Sequence, residues 1–377
     1  MKKILMPMQA AGAGHKMPAM AVKGAIDELF PNQYRVEVVD FLQELDFETD
    51  KKMKETWDFA LAHPFWARVG YNIFKYGFPL SRYIFDMMYP ILNKNGVDYL
   101  KNYDPDIIFS THFWSVRVIL KAKKKLNHRA KVITYVTDPF DGHCLWAEPE
   151  VDYILCASQV AKDQLIGYGV AAEKVKIFQF PVDNKFFAIK KSKEELREAY
   201  GLNPNYKTIL ATAGGQGISD ISKYVQMMYE KGYEFNILYV TGKNAQLFEE
   251  LSRLAATPSK TKLVPLGFVS NMNELLYLSD FTIAKAGAST TFEALFLGNP
   301  VIFTHWATYP EKPNIDFCVD NNVGWYASNE AQFFSVIDAI QTSDILQTYQ
   351  ENLSTLNLKS GTNDIAKFVV EQLEATK

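Results

Sequence analysis

Residues 281–314 read FTIAKAGASTTFEALFLGNPVIFTHWATYPEKPN, and this stretch decides the fold. Its pattern predicts a strand at 281–284, a small-residue turn around Gly287, a helix over 290–297 and a second strand at 300–304. Strand, helix and strand in this order form a βαβ unit, whose strands are parallel. The stretch therefore predicts an α/β fold with parallel sheets.

The turn of this unit has the chemistry of a nucleotide-binding corner. Gly287 lets backbone approach a ligand closely, and the helix start beyond it presents free N–H groups and a positive dipole end. Ser289 and Thr290 add hydroxyl donors for a diphosphate, and Glu293 is placed to accept hydrogen bonds from a ribose diol. An ordinary capped helix is written with the same residues, so this stretch alone leaves both interpretations open.

The composition is that of an ordinary globular chain. With 377 residues, 48% hydrophobic residues and a net charge of -3, it has room for about two cores and is not suited to nucleic acid as a partner. Three distant cysteines fit no metal spacing and indicate a reducing compartment. The short apolar N-terminus predicts a strand, not a signal peptide, and no run approaches the roughly 20 apolar residues of a spanning helix. We therefore expect a cytoplasmic protein.

The first half contains two further polar loops after predicted strands. GAGH at 12–15 is too short for a dinucleotide fingerprint, which favours a substrate over a cofactor, and His15 is either catalytic or a plain helix-start residue. VTDPFDGHCLW at 136–146 places Asp138 and His143 at a strand end, where ligands bind in open parallel sheets. A carboxylate there would take a proton from an acceptor hydroxyl, although Asp after a strand is more often a turn or cap residue.

Residues 57–90 interleave aromatic side chains, Trp66 and Tyr71 among them, with arginine and lysine. Aromatic bodies with cationic tips suit a membrane interface, where rings lie at headgroup depth. A core helix pair covering the first domain is the competing interpretation.

A polar segment at 182–200 then separates this half from a second α/β alternation. That second half opens with AGGQG at 213–217, which is either a phosphate cradle or a plain turn.

Six segments occur in the order found in monogalactosyldiacylglycerol synthases and processive diacylglycerol glucosyltransferases. They are GAGH (12–15), YDPDIIFSTH (103–112), VTDPFDGHCLW (136–146), AGGQG (213–217), LGFVSNMNELL (266–276) and AKAGASTTFEALFLGNPVI (284–302). The chain resembles these families over nearly its whole length, and the Asp-x4-His-x2-Trp spacing from Asp138 is specific to this branch. More distantly, the second half resembles the GlcNAc transferase that completes lipid II.

The resemblance implies a GT-B fold, with two facing Rossmann-like domains and an interdomain cleft. It implies an acceptor domain at 1–183, a UDP-sugar domain at 184–355, and a C-terminal helix at 356–377 that crosses back to the first domain. The implied reaction is inverting transfer of a hexose, glucose or galactose, from a UDP-sugar to a lipid hydroxyl such as that of diacylglycerol. No metal or other cofactor is expected. Peripheral contact with the inner face of the cell membrane is also implied.

The resemblance also implies roles for individual residues. Asp138 is the expected general base, and His15 is expected near the donor diphosphate or the acceptor hydroxyl. Expected donor-binding residues are Gly214, Gly215, Phe268, Val269, Gly287, Ser289, Thr290, Glu293, Glu311 and Asn314; expected acceptor-binding residues are His143, Trp146, Trp66 and Tyr71. Without a metal, the charge on departing UDP must be met by helix N-termini and fixed donors.

One departure from the family pattern concerns the donor sugar. These families carry Gln-Glu or Gln-Gln before an Asn, whereas this chain has YPEKPN at 309–314. Pro310 has no side-chain donor or acceptor for a sugar hydroxyl, so His305 or Trp306 is an alternative lining of the sugar pocket. The identity of the donor sugar stays open.

Three other functions remain compatible with the sequence. One is transfer to a polyprenyl-linked or specialised small-molecule acceptor, which would leave the donor site unchanged. A UDP-sugar epimerase uses a similar scaffold but needs paired acid and base groups against the donor sugar. A non-enzymatic nucleotide-sugar-binding partner would not need Asp138.

Overall fold

The computed structural model describes residues 1–10, 14–63, 69–73, 80–212 and 221–375. Twelve β-strands lie within these ranges: β1 (Lys2–Met8), β2 (Tyr34–Asp40), β3 (Ile107–Ser110), β4 (Lys131–Tyr135), β5 (Tyr153–Cys156), β6 (Val175–Ile177), β7 (Lys207–Thr212), β8 (Phe235–Val240), β9 (Lys262–Leu266), β10 (Phe281–Ala284), β11 (Val301–Phe303) and β12 (Gly324–Tyr326).

The helices of the described ranges are α1 (Lys16–Leu29), α2 (Phe41–Leu45), α3 (Phe47–Ala62), α4 (Leu80–Met88), α5 (Pro90–Tyr103), α6 (Phe113–Leu126), α7 (Gln159–Gly167), α8 (Lys193–Ala199), α9 (Ile221–Lys231), α10 (Ala245–Ala255), α11 (Met272–Leu278), α12 (Ala288–Phe296), α13 (Lys312–Asp320), α14 (Glu330–Thr342), α15 (Ile345–Thr355) and α16 (Thr362–Glu374). Residues 69–73 are also helical. Short 3-10 turns occur at Cys144–Trp146, Ala172–Lys174, Asn184–Phe187 and Tyr309–Glu311. None of the helices in the described part of the chain has the length and apolar character needed to span a bilayer.

The chain divides into two compact units. Unit 1 comprises Met1–Asn184, Thr308–Pro310 and Ser360–Lys377, and unit 2 comprises Lys185–Ala307 and Glu311–Lys359. Each unit contains one six-stranded sheet and its own hydrophobic core. The predicted α/β class with parallel sheets is therefore confirmed.

The sheet of unit 1 has the strand order β2-β1-β3-β4-β5-β6, with every pair parallel. Strand β1 lies inside this sheet because its middle residues are apolar throughout; Ile4 pairs with Val36 on one side and with Ile107 on the other. The chain moves from β1 to β2 in one direction and then crosses to β3 in the other. The loops after β1 and β3 therefore diverge, and such a switch point is where open α/β sheets bind ligands.

The sheet of unit 2 repeats this arrangement in the order β12-β11-β10-β7-β8-β9, again with every pair parallel. Here the switch point lies between β7 and β10. The turn containing Gly287 follows β10 directly, so the predicted nucleotide corner lies at the switch point of its sheet. Helix α12 begins at Ala288, two residues before its predicted start, which makes Gly287 its N-cap.

The last helix, α16, belongs to unit 1, where it packs against α1. Its inward residues Ile365 and Val369 are fully buried. The hydroxyl groups of Ser360 and Thr362 both donate to the carbonyl oxygen of Val182, at 2.9 and 2.8 Å. The start of the helix is thus tied by hydrogen bonds to the segment that leaves unit 1.

Gly361 provides a test of this junction, because a β-carbon there would overlap the carbonyl oxygen of Gln179. We expect Gly361→Ala to lower the free energy of unfolding by about 2 kcal/mol, since backbone atoms must shift to admit the methyl group. Gly24 in α1 has no atom within 4 Å of the same position. Gly24→Ala should therefore stabilise the protein by about 0.5–1 kcal/mol through helix propensity. Urea denaturation of both variants checks the pair, and equal effects would contradict this description.

Candidate active site

In unit 1, the ends of three neighbouring strands bring polar side chains to one edge of the sheet. His15 follows β1, His112 follows β3 and Asp138 follows β4. The rings of His15 and His112 meet edge to face, with centroids 4.9 Å apart, and the ring of His15 lies 6.0 Å from that of Trp146. The sequence predicted roles for His15, Asp138 and Trp146 but not for His112.

His15 is held in one orientation at the start of α1. Its Nδ1 lies 2.6 Å from the carbonyl oxygen of Thr111 and 3.2 Å from the hydroxyl oxygen of Thr137. Because a carbonyl oxygen only accepts hydrogen bonds, Nδ1 carries the hydrogen and Nε2 keeps its lone pair. Burial lowers the pKa of His15 to about 4, although the hydrogen bond to Thr111 raises the pKa and so opposes part of this effect. The ring is therefore neutral at pH 7 and offers Nε2 as an acceptor.

His112 is buried beneath His15. Its Nδ1 lies 3.0 Å from the hydroxyl oxygen of Ser115 in the first turn of α6. Burial, with the nearby His15 and Lys54 adding to it, holds the pKa of His112 well below its ordinary value. Two neutral imidazoles thus lie together at this strand edge, where a pair of cations would repel each other.

Asp138 is oriented by a buried indole. Trp146 Nε1 donates to Asp138 Oδ2 at 3.1 Å, and only 2% of Trp146 is exposed. The 3-10 turn Cys144–Trp146 brings the indole back toward the carboxylate. Gly142 is required in between, because a β-carbon there would overlap the carbonyl oxygen of Ala161. The predicted Asp-x4-His-x2-Trp spacing therefore corresponds to a carboxylate in a fixed orientation.

Asp141 and His143 form a second cluster around Tyr71. The hydroxyl of Tyr71 donates to Asp141 Oδ2 at 2.7 Å, and its ring lies 4.4 Å from that of His143. Burial and the Asp141 carboxylate raise the pKa of Tyr71 well above its ordinary value, so the hydroxyl stays protonated. His143 Nδ1 accepts from the backbone N–H of Leu145 at 3.4 Å, which leaves the hydrogen of the neutral ring on Nε2.

A polar network supports Gln9 and Ala10, the residues that directly follow β1. Gln9 donates to Asp50 at 2.8 Å, and Lys54 pairs with both Asp50 and Asp40. Asp40 in turn accepts from the backbone N–H of Ala10 at 3.3 Å. One lysine therefore joins two carboxylates, one of which holds the chain as it leaves β1.

In unit 2, hydrogen bonds on both sides shape the turn after β10. Asn314 Nδ2 donates to the carbonyl oxygen of Ala286 at 2.9 Å, and the N–H of Ala286 donates to His305 at 3.1 Å. Asn314 is 1% exposed, so in this structure it holds the turn. Ser289 Oγ, in the first turn of α12, is buried and has no hydrogen-bond partner among the described residues. The turn therefore presents an unused buried hydroxyl beside the helix N-terminus.

Glu311 is engaged on both carboxylate oxygens. Oε1 accepts from Lys285 at 3.1 Å, and Oε2 accepts from the backbone N–H of Ala307 at 2.7 Å. Lys285 lies between β10 and the turn, and no role for it was predicted from the sequence. At the same edge of the sheet, Phe268 follows β9 with 76% of its surface exposed. A phenyl ring this exposed offers a face for stacking.

Several predicted residues share a strand edge within their own unit. In unit 1 these are His15, Tyr71, Asp138, His143 and Trp146; in unit 2 they are Phe268, Val269, Gly287, Ser289, Thr290, Glu293, Glu311 and Asn314. Gly214, Gly215 and Trp66 lie outside the described residues, and so do residues 12 and 13 of the first glycine loop. Their roles stay predictions. Among the described residues, no group of three or more His, Cys, Asp or Glu is arranged to hold a metal ion.

Sequence analysis missed His112, Asp141 and Lys285. Thr111-His112 follows β3 as Thr137-Asp138 follows β4, and that parallel was the available signal for His112. Asp141 lies inside the motif at 136–146, but nothing in the sequence indicates that Tyr71 reaches it. Lys285 directly precedes the glycine turn, a position from which a cation can reach an anion bound there.

Comparison with known proteins agrees with this description. The family model for monogalactosyldiacylglycerol (MGDG) synthase matches residues 15–182, and that for the glycosyltransferase family 28 C-terminal domain matches residues 208–366. The chain is 25% identical over 347 residues to the chloroplastic monogalactosyldiacylglycerol synthase of Spinacia oleracea, which covers 89% of this chain and 65% of that protein. The chain thus spans slightly less than two thirds of the plant protein.

A bacterial relative matches over more of its length. The processive diacylglycerol beta-glucosyltransferase of Bacillus pumilus (strain SAFR-032) is 28% identical over 376 residues, covering 98% of this chain and 95% of that protein. Among solved structures, MurG of Acinetobacter baumannii superposes with a TM-score of 0.65 at 14% identity, covering 98% of this chain and 100% of that one. The latter likeness shows a shared fold.

Two Rossmann-like units, each with a parallel sheet, give the chain the GT-B fold, and the second unit matches the glycosyltransferase family 28 C-terminal domain. In sequence the chain resembles the monogalactosyldiacylglycerol synthases and the processive diacylglycerol glucosyltransferases. The resemblance inferred from the sequence is thereby confirmed.

The lowered pKa of His15 predicts a pH dependence of stability. Between pH 6.5 and about 4 the unfolded chain binds a proton at His15 that the folded protein does not, so stability falls on acidification. From pH 7 to pH 5 this loss is about 2 kcal/mol for His15 alone. We expect His15→Gln to lose correspondingly less stability over that interval. His63→Gln, at an exposed ring, is the control, and equal pH profiles for His15→Gln and the wild type would refute the assignment.

Proposed function

We propose that the protein is a UDP-sugar-dependent, inverting hexosyltransferase that transfers glucose or galactose to a lipid hydroxyl such as that of diacylglycerol. The observation that carries the proposal is the Asp138 carboxylate, held by the buried Trp146 indole at 3.1 Å in a unit that matches the monogalactosyldiacylglycerol synthase family model. The hexose as transferred sugar and diacylglycerol as acceptor are taken from the names of the relatives from spinach and Bacillus pumilus.

The chemistry of the two units supports a division of labour. In unit 1, Asp138 removes the proton of the acceptor hydroxyl as its oxygen attacks the anomeric carbon. In unit 2, the start of α12 and the side chains of Ser289 and Thr290 bind the diphosphate, and Glu293 binds the ribose. Phe268 stacks on the uracil, for which its exposed ring is suited. A metal is not needed if these fixed donors meet the charge of the departing UDP.

The neutral state of His15 bears on its role. A cationic imidazole would serve a diphosphate, whereas a neutral one with a free Nε2 lone pair accepts a hydrogen bond from a hydroxyl. We therefore assign His15 to the acceptor hydroxyl, beside Asp138. Tyr71, which contacts both Asp141 and His143, forms the adjoining acceptor-side wall with them.

Incubation of the purified protein with UDP-glucose or UDP-galactose and diacylglycerol, followed by product identification, tests the reaction. Water-soluble and polyprenyl-linked acceptors tested in parallel separate the alternatives.

We expect Asp138→Asn to reduce transfer by about 100-fold or more, because general-base catalysis is lost while the Trp146 bond remains possible. UDP affinity should stay near the wild-type value, and Asp163→Asn, on the exposed face of α7, should retain activity. Unchanged turnover in Asp138→Asn would remove Asp138 from the mechanism.

Helix α4 supports peripheral contact with a membrane. One side is anchored in unit 1: the Phe85 ring stacks on Trp114 with centroids 4.0 Å apart, and Asp86 pairs with Arg117 at 2.6 Å. Large apolar residues on the rest of the helix are exposed to solvent; they are Tyr83, Ile84, Met87 and Met88. A helix that is docked on one side and apolar on another is suited to lie in a lipid interface.

Vesicle flotation tests this surface. We expect the wild-type protein to float with phosphatidylcholine vesicles containing phosphatidylglycerol, and the double variant Ile84→Ser/Met87→Ser to float several-fold less because buried apolar area is lost. Val319→Ser, at an exposed apolar residue of α13 in unit 2, is the control. Equal flotation of the wild-type protein and the double variant would exclude this helix as the contact.

A further inference from the structure

The ion pair between Lys285 and Glu311 lies directly over the turn proposed to bind the diphosphate. Lys285 Nζ is 3.1 Å from Glu311 Oε1. A β-carbon placed on Gly287 would be 3.7 Å from Lys285 Cε and 3.9 Å from Glu311 Oε1. The glycine thus leaves open the space that both side chains border, and whatever enters the turn meets a cation and a carboxylate together.

The two members of this pair are held differently. Glu311 is fixed from its other oxygen by the N–H of Ala307 at 2.7 Å, and its side chain is 16% exposed. Lys285 is twice as exposed, at 33%, and reaches Glu311 through a flexible four-carbon chain. Lys285 is therefore the partner that can move without disturbing the backbone.

The rest of the turn is ready for an anion. Helix α12, nine residues long, starts at Ala288 with its first N–H groups directed away from the helix. The buried hydroxyl of Ser289 has no described hydrogen-bond partner. A carboxylate next to this site would repel a diphosphate if its charge were not compensated, and Lys285 supplies that compensation in the absence of nucleotide.

We propose that Lys285 is a further catalytic residue, which exchanges the Glu311 carboxylate for the phosphate oxygens of the donor. This inference rests on the proposed function. In the transfer, the bond between the anomeric carbon and the β-phosphate oxygen breaks and its electron pair stays on UDP. The acceptor oxygen forms the new bond, and its proton goes to Asp138. Lys285 transfers no proton; its charge stabilises the negative charge that develops on the leaving group.

The exchange also defines what Glu311 does in the nucleotide-free protein. Its carboxylate is paired with the ammonium group of Lys285, which the diphosphate needs when it binds. The donor and Glu311 therefore compete for one cation. Removing the charge of Glu311 should therefore help UDP to bind, whereas removing the charge of Lys285 should hinder it. A purely structural pair between β10 and α13 would give neither result.

Calorimetric titration of the full-length protein with UDP, and NMR competition with uridine, test the proposal. We expect Lys285→Met to weaken UDP binding about 10-fold, the loss of roughly one charged hydrogen bond, and to leave uridine binding unchanged. Lys285→Arg should retain UDP binding because it keeps the charge. Glu311→Gln should tighten UDP binding several-fold. Lys312→Met, which removes the neighbouring exposed pair with Asp316, is the control and should match the wild type.

The outcomes separate this inference from the function on which it rests. If the wild-type protein fails to bind UDP, the proposed function itself is wrong. If the wild type binds UDP and Lys285→Met binds it equally well, or loses uridine to the same extent, Lys285 does not contact the diphosphate. Weaker UDP binding in Glu311→Gln would likewise overturn the exchange, and this variant remains informative should Lys285→Met fold poorly.

Discussion

Parallel strand pairing is the constraint on which the rest of this protein depends. Because all strands of a sheet point the same way, their carboxyl ends share one edge, and residues far apart in sequence are delivered there together. In unit 1 this brings His15, which follows β1, into contact with residues after β3 and β4. In unit 2 it sets the loops after the neighbouring strands β10 and β11 side by side. The buried apolar residues of the strands, such as Ile4 and Ile283, supply the energy that keeps this register.

The two strand edges present different chemical groups. The unit 1 edge contains neutral imidazoles and carboxylates, an environment that accepts hydrogen from a hydroxyl. The unit 2 edge contains a helix N-terminus and a lysine, an environment that receives negative charge. The proposed sugar transfer needs both properties, since one oxygen must lose a proton while another gains an electron pair.

Local patterns made much of this architecture predictable. The βαβ unit around Gly287 was visible because strand, glycine turn and helix are written within about twenty residues, and the spacing from Asp138 to Trp146 is equally local. Strand β12 was missed because three residues, Gly324–Tyr326, carry no periodicity, and its existence depends on pairing with β11. The contact of His15 with His112 and that of Lys285 with Glu311 arise from strand neighbours, which propensity does not encode. The requirement for glycine at Gly361 likewise depends on a segment 182 positions earlier, at Gln179.

The docking of α16 on α1 has a consequence for how the protein is made. Most of unit 1 precedes unit 2 in the chain, yet unit 1 is completed by a helix that leaves the ribosome only after all of unit 2. During translation, the apolar surface of α1 that α16 covers stays open while unit 2 has time to fold. The nascent chain therefore passes through a stage with one finished half and one unfinished half, and in that interval chaperones have an exposed surface to bind.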